Sequence, residues 1–345
     1  MMRRHITLRL GRAVHLPIPL KTALVIALLS ALLGIGVLLA LQLGSTAIAI
    51  ADVLHWLLPF SDADSETAAI MSLRWPRIAV AILGGAMVSV SGYLLQVVAR
   101  NGLADPGLLG ISQGSMATIV LATTLFGLTP AALAWVGLAG GFLTALLVLT
   151  LSYRLASANG LILVGLAVGI VLGAAMEIVM VQGGILQFAR WLAWSHGSLA
   201  SVSVGSAGIV AMWAVILLPL CLVASGQMMP LLLGAEQAAG LGASPRRLSF
   251  YLTLLAAALV APVVAVVGPI SFLGLIAGHI ARRLAGERPA AVMPVAMLCG
   301  PLILLFADTA GRTLFLPVVV PAGILVSIAG VLIFLFAARL SRPRH

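Results

Sequence analysis

Residues 19–43 read PLKTALVIALLSALLGIGVLLALQL. The run holds one charge, Lys21, and its other polar side chains are only Thr22, Ser30 and Gln42. At ~1.5 Å of rise per residue, a helix of this length is longer than the ~30 Å hydrocarbon layer of a bilayer. No alternation of apolar and polar residues suggests a strand. The basic segment before it imitates a secretory signal, but the apolar run exceeds the roughly 7–15 residues of a signal's apolar region. The reading is therefore an uncleaved first membrane span, with its basic flank in the cytoplasm.

The same pattern recurs along the chain. Spans are expected at about 19–43, 76–99, 107–127, 130–153, 160–183, 206–226, 249–268, 291–313 and 321–340, with a short apolar segment at 271–285 as a partial span. This predicts an all-α polytopic membrane protein of about ten helices, with residues 1–345 as a single transmembrane domain. Composition agrees: 62% of residues are hydrophobic, 8% are charged, and mean hydropathy is +1.21. A water-soluble domain carries about 25% charged residues, so this chain lacks the side chains to cover a soluble surface. Backbone amides inside lipid must be satisfied internally, and helices do this.

Charge placement gives an orientation. Lys21 and Arg3, Arg4, Arg9, Arg12, Arg100, Arg154, Arg246, Arg247, Arg282, Arg283, Arg288, Arg339, Arg342 and Arg344 fall on the N-terminal side of a ten-span layout. Arg74, Arg77, Arg190 and Arg312 fall on the other side. Short cytoplasmic loops collect Lys and Arg, so both termini are expected in the cytoplasm. The net charge of +10 thus reads as a topology signal and not as nucleic-acid binding.

Several functions are excluded by the same reading. Lys21 is the chain's single lysine and lies in Pro-Leu-Lys-Thr with no glycine-rich loop before it. A P-loop needs its lysine inside GxxxxGK[ST] to reach nucleotide phosphates. The chain has no ATP site of its own, and any ATP-driven work needs another subunit. The six histidines show no metal-ligand spacing, and Cys221 and Cys299 lie within apolar spans as small core side chains. No cofactor, metal site or catalytic constellation is expected.

Three stretches are too polar or too punctuated for plain spans. The first runs from Arg74-Trp75-Pro76-Arg77 through Gly84-Gly85, Ser91-Gly92 and Gln96 to Arg100-Asn101-Gly102-Leu103-Ala104-Asp105-Pro106-Gly107 and Gly110-Ile111-Ser112-Gln113-Gly114. The second is Leu233-Gly234-Ala235-Glu236-Gln237-Ala238-Ala239-Gly240-Leu241-Gly242. The third joins Ile270-Ser271-Phe272-Leu273-Gly274-Leu275-Ile276, His279-Ile280, Arg282, Ala307-Asp308, Arg312 and Pro321-Ala322-Gly323. In this order and spacing they resemble the FecCD-type permeases, the membrane subunits of ABC importers for iron–siderophores, haem and cobalamin. The resemblance covers the chain from about Arg74 to its C-terminus. It departs from the family at Gly102 and Gly278, where relatives usually carry proline, and at Val319-Val320, where a glutamate is common.

The resemblance implies a type II ABC importer permease fold in the bacterial inner membrane. Its partners would be a second permease copy or paralogue, two cytoplasmic ATP-binding subunits and a periplasmic substrate-binding protein. It implies import of a ferric-siderophore-type chelate, with haem and cobalamin as alternatives, and ATP hydrolysed in a separate chain.

Residue roles follow from the same resemblance. Arg74, Arg77 and Arg312 would dock acidic residues of the binding protein, since guanidinium groups suit bidentate carboxylate contacts. The competing reading is internal pairing with a nearby acid such as Asp308. The segment at about 229–247, with Gly234, Glu236, Ala238 and Gly242, would form the helices that couple to the ATPase; a plain connecting loop is the alternative. Asn101 and Leu103, with Ser157, Ala158 and Asn159, would form the cytoplasmic gate, although Asn and Asp-Pro-Gly are also ordinary turn residues.

Gly165, Gly169 and Gly173 recur every fourth residue on one face, a ridge for close helix approach and a candidate lining of the pathway. Glu177 sits within the same span. A charge there costs ~2.5–3.5 kcal/mol in lipid, so it lies near the interface, is paired, or faces a water-filled route. A secondary transporter is the main rival class, but Glu177 is the one intramembrane carboxylate that would serve it. An intramembrane enzyme finds no Ser/His pair, HExxH or paired aspartates within spans.

Overall fold

The structure, a computed structural model, describes residues 5–10, 14–44, 46–57, 64–126, 130–155, 160–182, 192, 194–233, 237, 240 and 244–340. It opens with a short antiparallel hairpin, β1 (His5–Leu10) and β2 (Val14–Pro19), with His5 opposite Pro19 and Leu10 opposite Val14. The rest is helical: α1 (Leu20–Gln42), α2 (Ile50–Leu57), α3 (Ser65–Ala99), α4 (Ile111–Phe126), α5 (Pro130–Leu155) and α6 (Gly160–Gln182). After them come α7 (Val204–Ser225), α8 (Met229–Leu233), α9 (Pro245–Val267), α10 (Leu273–Ala285), α11 (Pro289–Thr313) and α12 (Ala322–Leu340). A single 3-10 turn, Pro106–Leu109, separates α3 from α4.

Ten of these helices coincide with the ten expected spans. Among the described residues, α1, α3, α5, α6, α7, α9 and α11 hold stretches long and apolar enough to cross a membrane by length and composition. Helices α4, α10 and α12 are shorter, and α10, at 13 residues, reaches only about 20 Å.

One boundary differs from expectation. Helix α3 is 35 residues long and begins at Ser65, so Arg74, expected just before the span at about 76–99, lies inside the helix with Arg77. An apolar window detects only the part of a helix that lies in hydrocarbon. The polar turns Ser65–Arg74 continue the same helix beyond it.

The layering follows from side-chain size. Of the apolar window of each helix, 83% is buried in α3, 72% in α9 and 67% in α11, against 17% in α1 and α6. Helix α3 is therefore the central post, with α11, α9, α10 and α7 around it. Its close neighbours approach through glycine. A Cβ on Gly85 would stand 2.8 Å from the backbone nitrogen of Pro301 in α11, and a Cβ on Gly92 would overlap the Gly274 backbone of α10. Without a hydrophobic driving force between helices in lipid, such close van der Waals approach and buried hydrogen bonds hold the bundle. Ser89 Oγ donates to Ala296 O at 2.7 Å and Ser91 Oγ to Ala256 O at 2.8 Å, stitching α3 to α11 and to α9.

The pair α4–α5 packs in the same way. Thr118 Oγ1 donates to Val136 O at 3.1 Å, and Gly141 lies against Ser115 and Ala261.

Candidate functional site

Two polar clusters mark opposite ends of the bundle. At the first, Arg74 and Arg77 of α3 meet Asp308 and Arg312 of α11 and the last turn of α1. Helix α1 has no basic residue in its last turn, so its C-terminal carbonyls lack a local cationic partner. Arginines from other helices fill that role. Arg74 Nη1 donates to Leu41 O at 2.5 Å and Gln42 O at 3.1 Å, and its Nη2 donates to Thr46 O. Arg312 Nη2 donates to Ala40 O.

Asp308 balances part of this charge. Arg77 grips it with Nε at 2.9 Å from both carboxylate oxygens and Nη2 at 2.7 Å from Oδ1. Arg312 Nε lies 3.5 Å from Oδ2. Two guanidinium groups thus meet one carboxylate, while Arg74 and Arg312 converge beside Gly44. The structure brings the three expected docking arginines together, and it also realises the competing reading, in which Asp308 pairs with two of them. Arg77 is the most accessible of those two, with 17% of its side chain exposed against 8% for Arg312.

At the opposite end, α3 stops at Arg100, whose φ of 48° turns the chain back. Asn101 Oδ1 accepts from Leu103 N at 2.9 Å, an Asx turn that leaves the Leu103 side chain 45% exposed. The segment then runs alongside α10. A Cβ on Gly102 would stand 2.8 Å from Arg282 Nη2 near the end of α10, while Asp105 reaches the start of the same helix. The buried Asp105 accepts from Gly107 N at 2.9 Å through Oδ1 and from Leu275 N at 3.2 Å through Oδ2.

Phe272, at the N-cap of α10, supplies no side-chain acceptor, so Asp105 caps α10 from a different part of the chain. This role has no sequence signal, because Asp-Pro-Gly reads only as a turn. The departures from proline have a steric reason. Gly102 leaves room for Arg282, and a Cβ on Gly278 would stand 2.7 Å from Gln96 Oε1.

The segment continues to Gly110, with φ 69°, where α6 closes in. A Cβ there would lie 3.0 Å from Gly165 O and 3.2 Å from Gly169 N, so both backbone conformation and proximity call for glycine. Gly165 and Gly169 are buried, whereas Gly173 has nothing within 4 Å of its Cβ direction. Farther along α6, Glu177 is exposed beside exposed Ile178, on a helix that is otherwise apolar. Ser157, Ala158 and Asn159 lie outside the described residues, as do Gly234, Glu236, Ala238 and Gly242. Among the described residues, no group of three His, Cys, Asp or Glu side chains is placed to hold a metal ion.

A bundle of helices long and apolar enough to cross a membrane, with polar clusters at both ends, defines a multi-pass membrane protein. The chain belongs to the FecCD transport family, whose model matches residues 32–339. It is 40% identical over 270 residues to the Fe(3+)-citrate import system permease protein YfmE of Bacillus subtilis, covering 77% of this chain and 80% of that one. It is 33% identical over 325 residues to the iron(3+)-hydroxamate import system permease protein FhuG of the same organism, covering 92% and 96%. It is 35% identical over 269 residues to the hemin transport system permease protein HmuU of Yersinia pestis, covering 75% and 80%. Among solved structures, an inward-facing metal-chelate type ABC transporter superposes with a TM-score of 0.81 at 26% identity, covering 92% of this chain and 99% of that one.

Proposed function

We propose that this chain is the permease subunit of a binding-protein-dependent ABC importer that carries a ferric-siderophore-type chelate across the bacterial inner membrane. It works beside a second permease copy or paralogue, with two cytoplasmic ATP-binding subunits and a periplasmic binding protein, and both of its termini are cytoplasmic. Iron-chelate relatives such as YfmE and FhuG support the substrate class. HmuU supports haem as the second reading.

The observation that carries the reading is the open face of α6. Glu177 is exposed on a helix of which only 17% of the apolar window is buried. Facing lipid, that carboxylate would cost ~2.5–3.5 kcal/mol. Facing a water-filled route shared with a second permease, it costs far less. Gly173 and Glu177 then line the pathway, and Gly165 and Gly169 hold α6 against Gly110 at its edge.

The binding protein docks at the end that carries Arg74, Arg77 and Arg312. Arg77 makes first contact, trading Asp308 for an incoming carboxylate, while Arg74 and Arg312 brace α1. Asn101 and Leu103, with Ser157, Ala158 and Asn159, close the cytoplasmic gate. The segment at 229–247, with Gly234, Glu236, Ala238 and Gly242, receives the ATPase stroke. The decisive experiment reconstitutes the full complex in vesicles and measures ATPase stimulation by binding protein loaded with a panel of ferric siderophores, ferric citrate, haem and cobalamin. Stimulation by one chelate class assigns the cargo. No stimulation by any loaded binding protein overturns the reading.

A further inference from the structure

The end of the bundle opposite the Arg77–Asp308 pair holds a cavity of about 610 Å3, lined by Pro19–Thr22 at the start of α1 and Arg283–Gly286 at the end of α10. Two cations border it, Lys21 and Arg283, and among the described residues neither lies within ion-pair distance of a carboxylate. Arg283 Nε donates to His279 Nε2 at 3.2 Å, a contact that adds no negative charge. Pro19, the N-cap of α1, offers no side-chain acceptor to the first turn. The partial positive charge at that helix start therefore faces the cavity uncompensated. Thr22, 2% exposed, adds a buried hydroxyl to the lining.

The surroundings identify the kind of anion. Directly from the cavity, α1 presents Leu20, Leu24, Leu28 and Leu32, exposed by 41%, 64%, 62% and 41% and spaced every fourth residue. This stripe covers the first half of a membrane-crossing helix and is exposed on the outside of the bundle, so lipid tails are its natural cover. An anion tied to such a tail gains at both ends: its phosphate meets Lys21, Arg283 and the start of α1, and its chain lies on the leucines. A free phosphate or an acidic side chain of another protein uses only the first half. Residues of the last turn of α10, Arg283–Ala285, border the same space, where helix-end carbonyls without intrahelical partners are natural acceptors for headgroup hydroxyls.

We propose that this cavity is a binding site for the headgroup of an acidic glycerophospholipid, with one acyl chain along the α1 leucine stripe. Basic pockets between membrane helices are suited to anionic lipid headgroups. The site joins the ends of α1 and α10. Arg282, next to Arg283, lies against Gly102, so the lipid braces the helix on which the Asn101–Asp105 segment rests.

The test uses the full-length chain in nanodiscs of phosphatidylcholine with a minor fraction of phosphatidylglycerol, with retained lipids counted by native mass spectrometry. Wild-type protein is expected to retain phosphatidylglycerol in preference to phosphatidylcholine. The K21Q/R283Q variant is expected to lose about thirtyfold of that preference, and K21R/R283K to keep it. R283Q alone, with the lighter burden on folding, is expected to lose an intermediate share. An unchanged preference in R283Q and in the double variant overturns the site. Displacement of the bound lipid by millimolar inorganic phosphate shows a site for free anions and overturns the lipid assignment. Preference lost equally in the charge-preserving K21R/R283K also overturns it, because it makes packing and not charge the cause.

Discussion

Arg77 of α3 holds Asp308 of α11 in a two-pronged ion pair, with Nη2 2.7 Å from Oδ1 and Nε 2.9 Å from both oxygens. Asp308 is also the one carboxylate that the structure sets against Arg312. It offsets one of the two positive charges it touches in a crowded cationic cluster at the junction of α1, α3 and α11.

Removing that carboxylate strands both cations. Asp308→Ala is expected to destabilise the protein by about 3 kcal/mol, in line with breaking a buried ion pair. Thermal unfolding in detergent checks this. Arg77→Ala together with Asp308→Ala is expected to recover part of the loss, because the uncompensated charge is smaller.

Docking and bracing separate by mutation. Arg77→Glu is expected to abolish uptake that depends on the binding protein, and in an Asp308→Arg background, where the pair is reversed but Arg312 loses its carboxylate, to regain only part of the melting temperature that Arg77→Glu alone loses. Arg74→Ala is expected to lower thermal stability, since it releases the carbonyls of Leu41, Gln42 and Thr46. Uptake assays beside melting curves distinguish the two behaviours. Full uptake by Arg77→Glu would remove the docking assignment.

Asp105 gives a graded test of the Asn101–Asp105 segment. Asp105→Asn keeps an acceptor for Gly107 or Leu275, and Asp105→Ala keeps neither. The alanine variant is expected to lose about 1 kcal/mol of stability, typical of a lost helix cap, and the asparagine variant less. If the segment gates transport, Asp105→Ala also raises ATPase activity without cargo. Coupled ATPase and uptake measurements on the reconstituted complex read this directly.

The glycines divide by contact. Gly92→Ala is expected to cost about 1–3 kcal/mol, because its Cβ would overlap the Gly274 backbone, which has no flexible end to yield. Gly173→Leu is expected to leave the melting temperature unchanged, having open space around it, and to lower uptake several-fold if α6 lines the route. A Gly173→Leu variant with wild-type uptake would remove α6 from the pathway.

Much of this protein was readable one window at a time. The positions of ten helices, the lack of a nucleotide loop around Lys21 and the resemblance to FecCD permeases rest on local composition and short motifs. Even the Gly165–Gly169 ridge announced its use, since small residues four apart share a face. The start of α3 was misjudged because apolarity marks the hydrocarbon boundary and not the end of a helix. The gathering of Arg74, Arg77 and Arg312 came from resemblance. Asp308 was legible as a nearby acid able to pair with them, but the carbonyls of Ala40, Leu41, Gln42 and Thr46 were not.

The amino-acid order alone determined that this chain lives in a membrane as a helical bundle, because hydrophobic length is a property of consecutive residues. Tertiary structure decided which polar groups meet. Arg77 and Asp308 stand 231 positions apart, Asp105 and Leu275 170, and Arg312 and Ala40 272. A buried charge takes whichever partner the packing brings near, and that packing is set by where glycines let helices touch, which no single stretch of sequence records.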